Sequence, residues 1–162
     1  MENKQSKRRI TIIGIGNILY QDEGVGVHIL PSLMEKLGND SDIEIIEGAT
    51  DGMILLEPVE DAEHLIIIDA INAGKPGGTI ITLEGDEIPA YYGIKMSIHQ
   101  IGFQEVLWTA KFRERYPDQI IMFGMQPSSL ELGIELSETN QARLEELTAK
   151  VMNQVEIWRN AS

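Results

Sequence analysis

Cysteine is absent from all 162 residues, which excludes disulfides, thiolate nucleophiles and Cys-ligated zinc or iron–sulfur clusters. His-Glu-x-x-His, Gly-x-Ser-x-Gly and an aspartic dyad motif are also missing, so the common hydrolase machineries are not available. Basic residues are scarce, 13 Lys and Arg against 26 Asp and Glu, and the resulting net charge of −13 opposes nucleic-acid phosphates. The same charge favours a protein partner that presents a basic segment. No stretch reaches the roughly 18 consecutive apolar residues of a membrane span, so no membrane partner is expected. Without disulfide chemistry to protect, a cytoplasmic location fits.

With 43% hydrophobic and 24% charged residues, the composition is that of an ordinary globule. Residues 9–162 read as a single α/β domain, expected to act as a monomer, behind a flexible tail of residues 1–8. Ser6-Lys7-Arg8-Arg9 ahead of an apolar run imitates a twin-arginine export signal. Gly14, Gly16 and Asn17 interrupt that run and it closes in Gln21-Asp22-Glu23, so a polar tail and a buried first strand are expected instead.

β-Branched runs alternate with helical periodicity, the pattern of a mostly parallel, twisted five-stranded sheet with helices on both faces. Strands are expected near Arg9–Ile15, Asp42–Glu47, His64–Asp69, Thr79–Leu83 and Gln119–Gly124. Leu30, Leu33, Met34 and Leu37 form the stripe of a first helix whose start Pro31 limits. A short helix near Gly52–Glu57 should end at Pro58, and a longer one should run from His99 to Arg115. The stretch from Gly85 to Ser97, with Pro89 and Gly93, reads as a long loop. The last helix, Glu138–Arg159, takes Ser137 as its N-cap and repeats Leu144, Leu147, Val151, Val155 and Trp158 along one face.

Glu23, Asp69 and His99 each fall where a strand gives way to a loop or helix. Two carboxylates and an imidazole suit a borderline divalent ion such as Ni²⁺ or Zn²⁺, and three ligands leave coordination positions open. The three are far apart in the chain, so only a fold brings them together; in a parallel sheet the meeting place is the carboxyl edge of the strands. Each has a structural alternative: Asp22-Glu23 as acids favouring a helix N-terminus, Asp69 as a turn residue, His99 as a cap. Tyr91, Tyr92 and Trp108 suit either the wall of a peptide groove or packing, and His28 and His64 suit surface or packing roles. Gly14-x-Gly16 after a strand suggests a nucleotide fold, but Leu19 stands where the third glycine belongs.

The segment Gly14–Gly26, Ile68-Asp69-Ala70, Ser97-Ile98-His99-Gln100, Gly124-Met125-Gln126-Pro127 and Gly133–Ser137 together resemble the signature blocks of the nickel-iron hydrogenase maturation endopeptidases. The resemblance covers roughly residues 9 to 158, in the same order and at family-like separations. Two positions depart from it: Glu47-Gly48-Ala49-Thr50 replaces the usual Asp-Gly-Gly-Thr, and Ile98 replaces a common proline. The resemblance implies an endopeptidase that removes the C-terminal extension of the hydrogenase large-subunit precursor after nickel insertion. It implies that Glu23, Asp69 and His99 contact nickel carried by that precursor, with Asp22 as a supporting or base residue. A nickel-binding maturation chaperone without peptidase activity is the alternative use of the same ligands.

Overall fold

The computed structural model describes residues 10–48, 52–94 and 102–161. Its five strands are β1 (Ile10–Ile15), β2 (Ile43–Gly48), β3 (His64–Ala70), β4 (Ile80–Glu84) and β5 (Gln119–Met125), in spatial order β2-β1-β3-β5-β4. All neighbours are parallel except β4, which runs antiparallel along β5 at the edge. The single α/β domain and its mostly parallel five-stranded sheet are therefore as expected.

Helices cover both faces because the central strands alternate apolar residues to each side. Ile10 and Ile12 of β1, Ile66 and Ile68 of β3, and Ile121 and Phe123 of β5 face one layer. That layer is built from α1 (Val25–His28), α2 (Leu30–Leu37) and α7 (Leu144–Asn160), which contribute Val25, Leu33, Leu147, Val151 and Val155. Ile13, Leu65, Ile67 and Met122 face the other layer, formed by α3 (Leu56–Asp61), α4 (Glu87–Ile94) and α5 (Phe103–Phe112). His64 packs edge-on against Trp158 with ring centroids 4.9 Å apart, which selects packing from the surface or packing roles expected of it.

Three expectations change. Pro58 does not end its helix but is the third residue of α3, and Pro89 is likewise third in α4. The first turn of a helix has no intrahelical use for those amides, so proline is tolerated there. The stretch from Gly85 to Ser97 is consequently not one long loop, since α4 occupies Glu87–Ile94. The last helix is broken: α6 (Glu138–Ala142) ends at Arg143 before α7 begins, although Ser137 caps α6 as expected and its Oγ accepts from the Asn140 amide at 3.3 Å. Helix α5 begins at Phe103; the proposed start at His99 lies outside the described residues.

Candidate functional site

From central β1 the chain crosses to β2 on one side and returns to β3 on the other, so a topological switch point opens between the carboxyl ends of β1 and β3. After β1 the chain turns through a short 3-10 segment, Gln21–Gly24, directly into α1. This close passage depends on glycine. A Cβ on Gly14 would collide with the carbonyl oxygen of Gly26, and one on Gly26 with those of Ile15 and Ile68. The two glycines let α1 lie against β1 and β3, which brings Glu23 over the end of the sheet.

Asp69, the penultimate residue of β3, is fully buried. Its Oδ1 accepts from the Ala70 amide at 2.8 Å and its Oδ2 from the Tyr92 hydroxyl at 2.8 Å. Burial, then the Asp69 carboxylate and its hydrogen bond, then Tyr91 and Glu23, push the Tyr92 hydroxyl well above the usual tyrosine range. Tyr92 therefore remains a proton donor to Asp69 across the neutral range.

Half-buried Glu23 lines a cleft of about 540 Å³ with Ala70, Asn72, Leu83, Tyr91, Pro127 and Leu130 among its walls. Tyr91 ties its wall to β3 by donating to the Ala70 carbonyl at 3.2 Å and accepting from the Asn72 amide at 3.3 Å. Opposite, Gln126 shapes the loop after β3: its Oε1 accepts from the Ala73 and Lys75 amides at 2.7 and 3.1 Å, and its Nε2 donates to Asn72 Oδ1 at 3.0 Å. Gln126 belongs to the block Gly124-Met125-Gln126-Pro127, where residue order alone assigns it no task. The task is to hold the chain leaving Asp69.

Asp22 stands in the geometry of the supporting residue rather than of the base, the two alternatives its sequence position offers. It is fully buried, its Oδ2 accepts from the Ser128 and Ser129 amides at 2.9 Å each and from Ser137 Oγ at 2.7 Å, and its Oδ1 accepts from the Ser137 amide at 2.8 Å. A carboxylate committed to four donors is an anchor, and this geometry argues against a role in accepting a proton during catalysis. Trp108 lies apart from the cleft with Glu23, on a separate groove between α4 and α5. Glu47 is exposed at the carboxyl end of β2. His99 lies outside the described residues, and among the described residues no three His, Cys, Asp or Glu side chains come together as a metal site.

An α/β domain with buried and half-buried carboxylates around a cleft at its switch point is a scaffold for a ligand-binding enzyme. The hydrogenase maturation protease model matches residues 27–154, and the chain belongs to that family. It is 36% identical over 151 residues to the hydrogenase expression/formation protein HoxM of Cupriavidus necator, spanning 92% of this chain and 75% of the relative. It is 38% identical over 145 residues to the hydrogenase 2 maturation protease of Escherichia coli K12, spanning 89% of this chain and 88% of that one. Among solved structures, the hydrogenase maturating endopeptidase HybD from E. coli superposes with a TM-score of 0.83 at 36% identity, covering 91% of this chain and 92% of the other. The protein is thus a maturation endopeptidase, a hydrolase whose family carries out C-terminal processing of the hydrogenase large subunit. This membership decides against the chaperone without peptidase activity.

Proposed function

We propose that this endopeptidase reads the nickel already seated in the large-subunit precursor and removes the C-terminal extension only when the ion is present. Glu23, Asp69 and His99 are the contacts to that substrate-borne ion. The observation that carries the reading is that Asp69, closing β3, and Glu23, following β1, stand at the same end of the sheet, where Glu23 lines the cleft with Ala70, the neighbour of Asp69, and with Tyr91, the neighbour of its hydrogen-bond partner Tyr92. Carboxylate oxygens together with imidazole form a donor set that suits Ni²⁺. A site with two or three oxygen and nitrogen donors and no thiolate holds a free ion weakly, which favours an ion brought by the substrate. The work is done in the cytoplasm, and the chain acts as a monomer.

The test incubates the protein with purified precursor before and after nickel loading and follows the C-terminal extension by mass spectrometry. Only the loaded form should be cut. Equal cleavage of both forms removes the nickel requirement, and wild-type processing by Glu23→Ala, Asp69→Ala and His99→Ala variants removes the assigned contacts.

A further inference from the structure

Beside the cleft, two segments far apart in sequence are joined into a small platform. The Gln21 amide donates to the Gly133 carbonyl at 2.8 Å, the Gly133 amide donates to the Leu19 carbonyl at 2.9 Å, and the Asp22 amide donates to the Ser129 carbonyl at 3.2 Å. The Asp22 carboxylate locks the same pair of segments from below through Ser128, Ser129 and Ser137. On this frame Ile18, Leu19, Tyr20, Leu130, Leu132 and Ile134 all stand exposed, with Leu132 at 76% and Ile134 at 66%. Exposed large apolar side chains scattered singly are normal, but six on two bonded segments form a patch of the kind that marks a protein interface.

Three further observations define what covers it. Leu130 lines the same cleft as Glu23, so the patch continues into the site. Residues 17–24 and 127–137 contain no Lys or Arg, while Glu23, Glu131 and Glu135 give the patch acidic neighbours on a chain of net charge −13. An endopeptidase must also hold its substrate on both sides of the scissile bond, and a cleft of about 540 Å³ holds only a short piece of it.

We propose that this platform is the docking surface for the substrate precursor, engaging a segment whose apolar side chains are bordered by basic ones. The proposal rests on the peptidase reading of the adjacent cleft and deepens it by assigning the contact that selects the substrate. The apolar side chains supply area, and Glu131 and Glu135 supply the sign of charge that the partner must match.

The test compares wild type with Leu132→Asp/Ile134→Asp and with Glu131→Lys/Glu135→Lys, using nickel-loaded large-subunit precursor as the probe. Binding is read by biolayer interferometry and processing by mass spectrometry, and circular dichroism verifies the fold. The apolar double variant should weaken binding and raise KM about tenfold or more, with kcat held within about twofold. The charge-reversed variant carries the test should the first fail to fold, and it should weaken binding and flatten its salt dependence. Phe112→Asp, an 87% exposed residue at the end of α5 away from the cleft, should change neither. Unchanged binding and KM in both platform variants overturn the proposal, as does a fall confined to kcat. Wild-type protein that binds the precursor through the platform without cutting it keeps the docking surface and removes the peptidase reading of the adjacent cleft. Wild-type protein that does not bind overturns the docking surface. A concentration-dependent dimer in sedimentation velocity that Leu132→Asp abolishes would make the occupant a second copy of this chain and overturn the proposal.

Discussion

The two ends of the sheet treat buried acids in opposite ways. At the amino end, Glu60 is neutralised by cations: Arg113 Nε donates to its Oε2 at 2.6 Å and Arg115 lies 3.7 Å from its Oε1. At the carboxyl end, the described donors to Asp22 and Asp69 are amides and hydroxyls, all of them neutral. Neutral donors hold a carboxylate in place without cancelling its charge. The amino end is thereby closed as structure, whereas at the carboxyl end the described partners of these acids carry no charge. A second contrast lies within that end: among the described residues, Asp22 accepts from donors more than a hundred positions away, while Asp69 accepts from Tyr92 and from its own neighbour's amide.

Substitutions can break this contrast. Asp69→Asn should abolish processing of loaded precursor while far-UV circular dichroism stays native, although one of its two buried donors loses its acceptor and melting falls by an amount comparable to that of Tyr92→Phe. Full processing would place Asp69 with Glu60 as structure only. Asp22→Ala should act on stability, since it strands buried amide and hydroxyl donors, and a loss of about 3–5 kcal/mol in urea unfolding is expected. A loss under about 1 kcal/mol would show that the anchor is replaceable.

Tyr92→Phe removes the hydroxyl from Asp69 and should cost about 1.5–3 kcal/mol at neutral pH. Because the folded protein raises the Tyr92 pKa above its unfolded value near 10, this contribution is complete below pH 10 and is lost as pH rises through the folded value. Melting curves between pH 9 and 12 should fall more steeply for wild type than for Tyr92→Phe, and parallel curves would remove the interaction as a stabilising one. The smallest effect belongs to Glu60→Gln. Its arginine partners are about half exposed, so about 1 kcal/mol or less is expected, with processing unchanged.

Much of this architecture was legible from residue order. Leu65–Ile68 is an unbroken apolar run because β3 is buried on both faces, and such runs identify central parallel strands without reference to contacts. The direction of β4 was not legible, since its pairing with β5 is decided by a partner some forty residues away. Helix α4 escaped because Pro89 and Gly93 read as breakers and Glu87-Ile88-Pro89-Ala90-Tyr91-Tyr92 has no polar face to set a period. The candidate ligands Glu23 and Asp69 could be placed from topology alone, because strand ends in a parallel sheet share an edge. The anchoring by Asp22 could not, because its donors come from a distant loop and carry no local signature.

That anchor also sets an order of assembly. The partners of Asp22 lie between 106 and 115 residues further along the chain. At ribosomal speeds of about 5–20 residues per second, Asp22 waits on the order of ten seconds for Ser137 to be made. Throughout that interval the nascent chain has its first strand and its candidate contact residue Glu23, but neither the far wall of the cleft nor the platform beside it. If the platform is the docking surface proposed above, recognition of the precursor is deferred until the last third of the enzyme exists, and an incomplete nascent chain does not occupy a precursor it is unable to process.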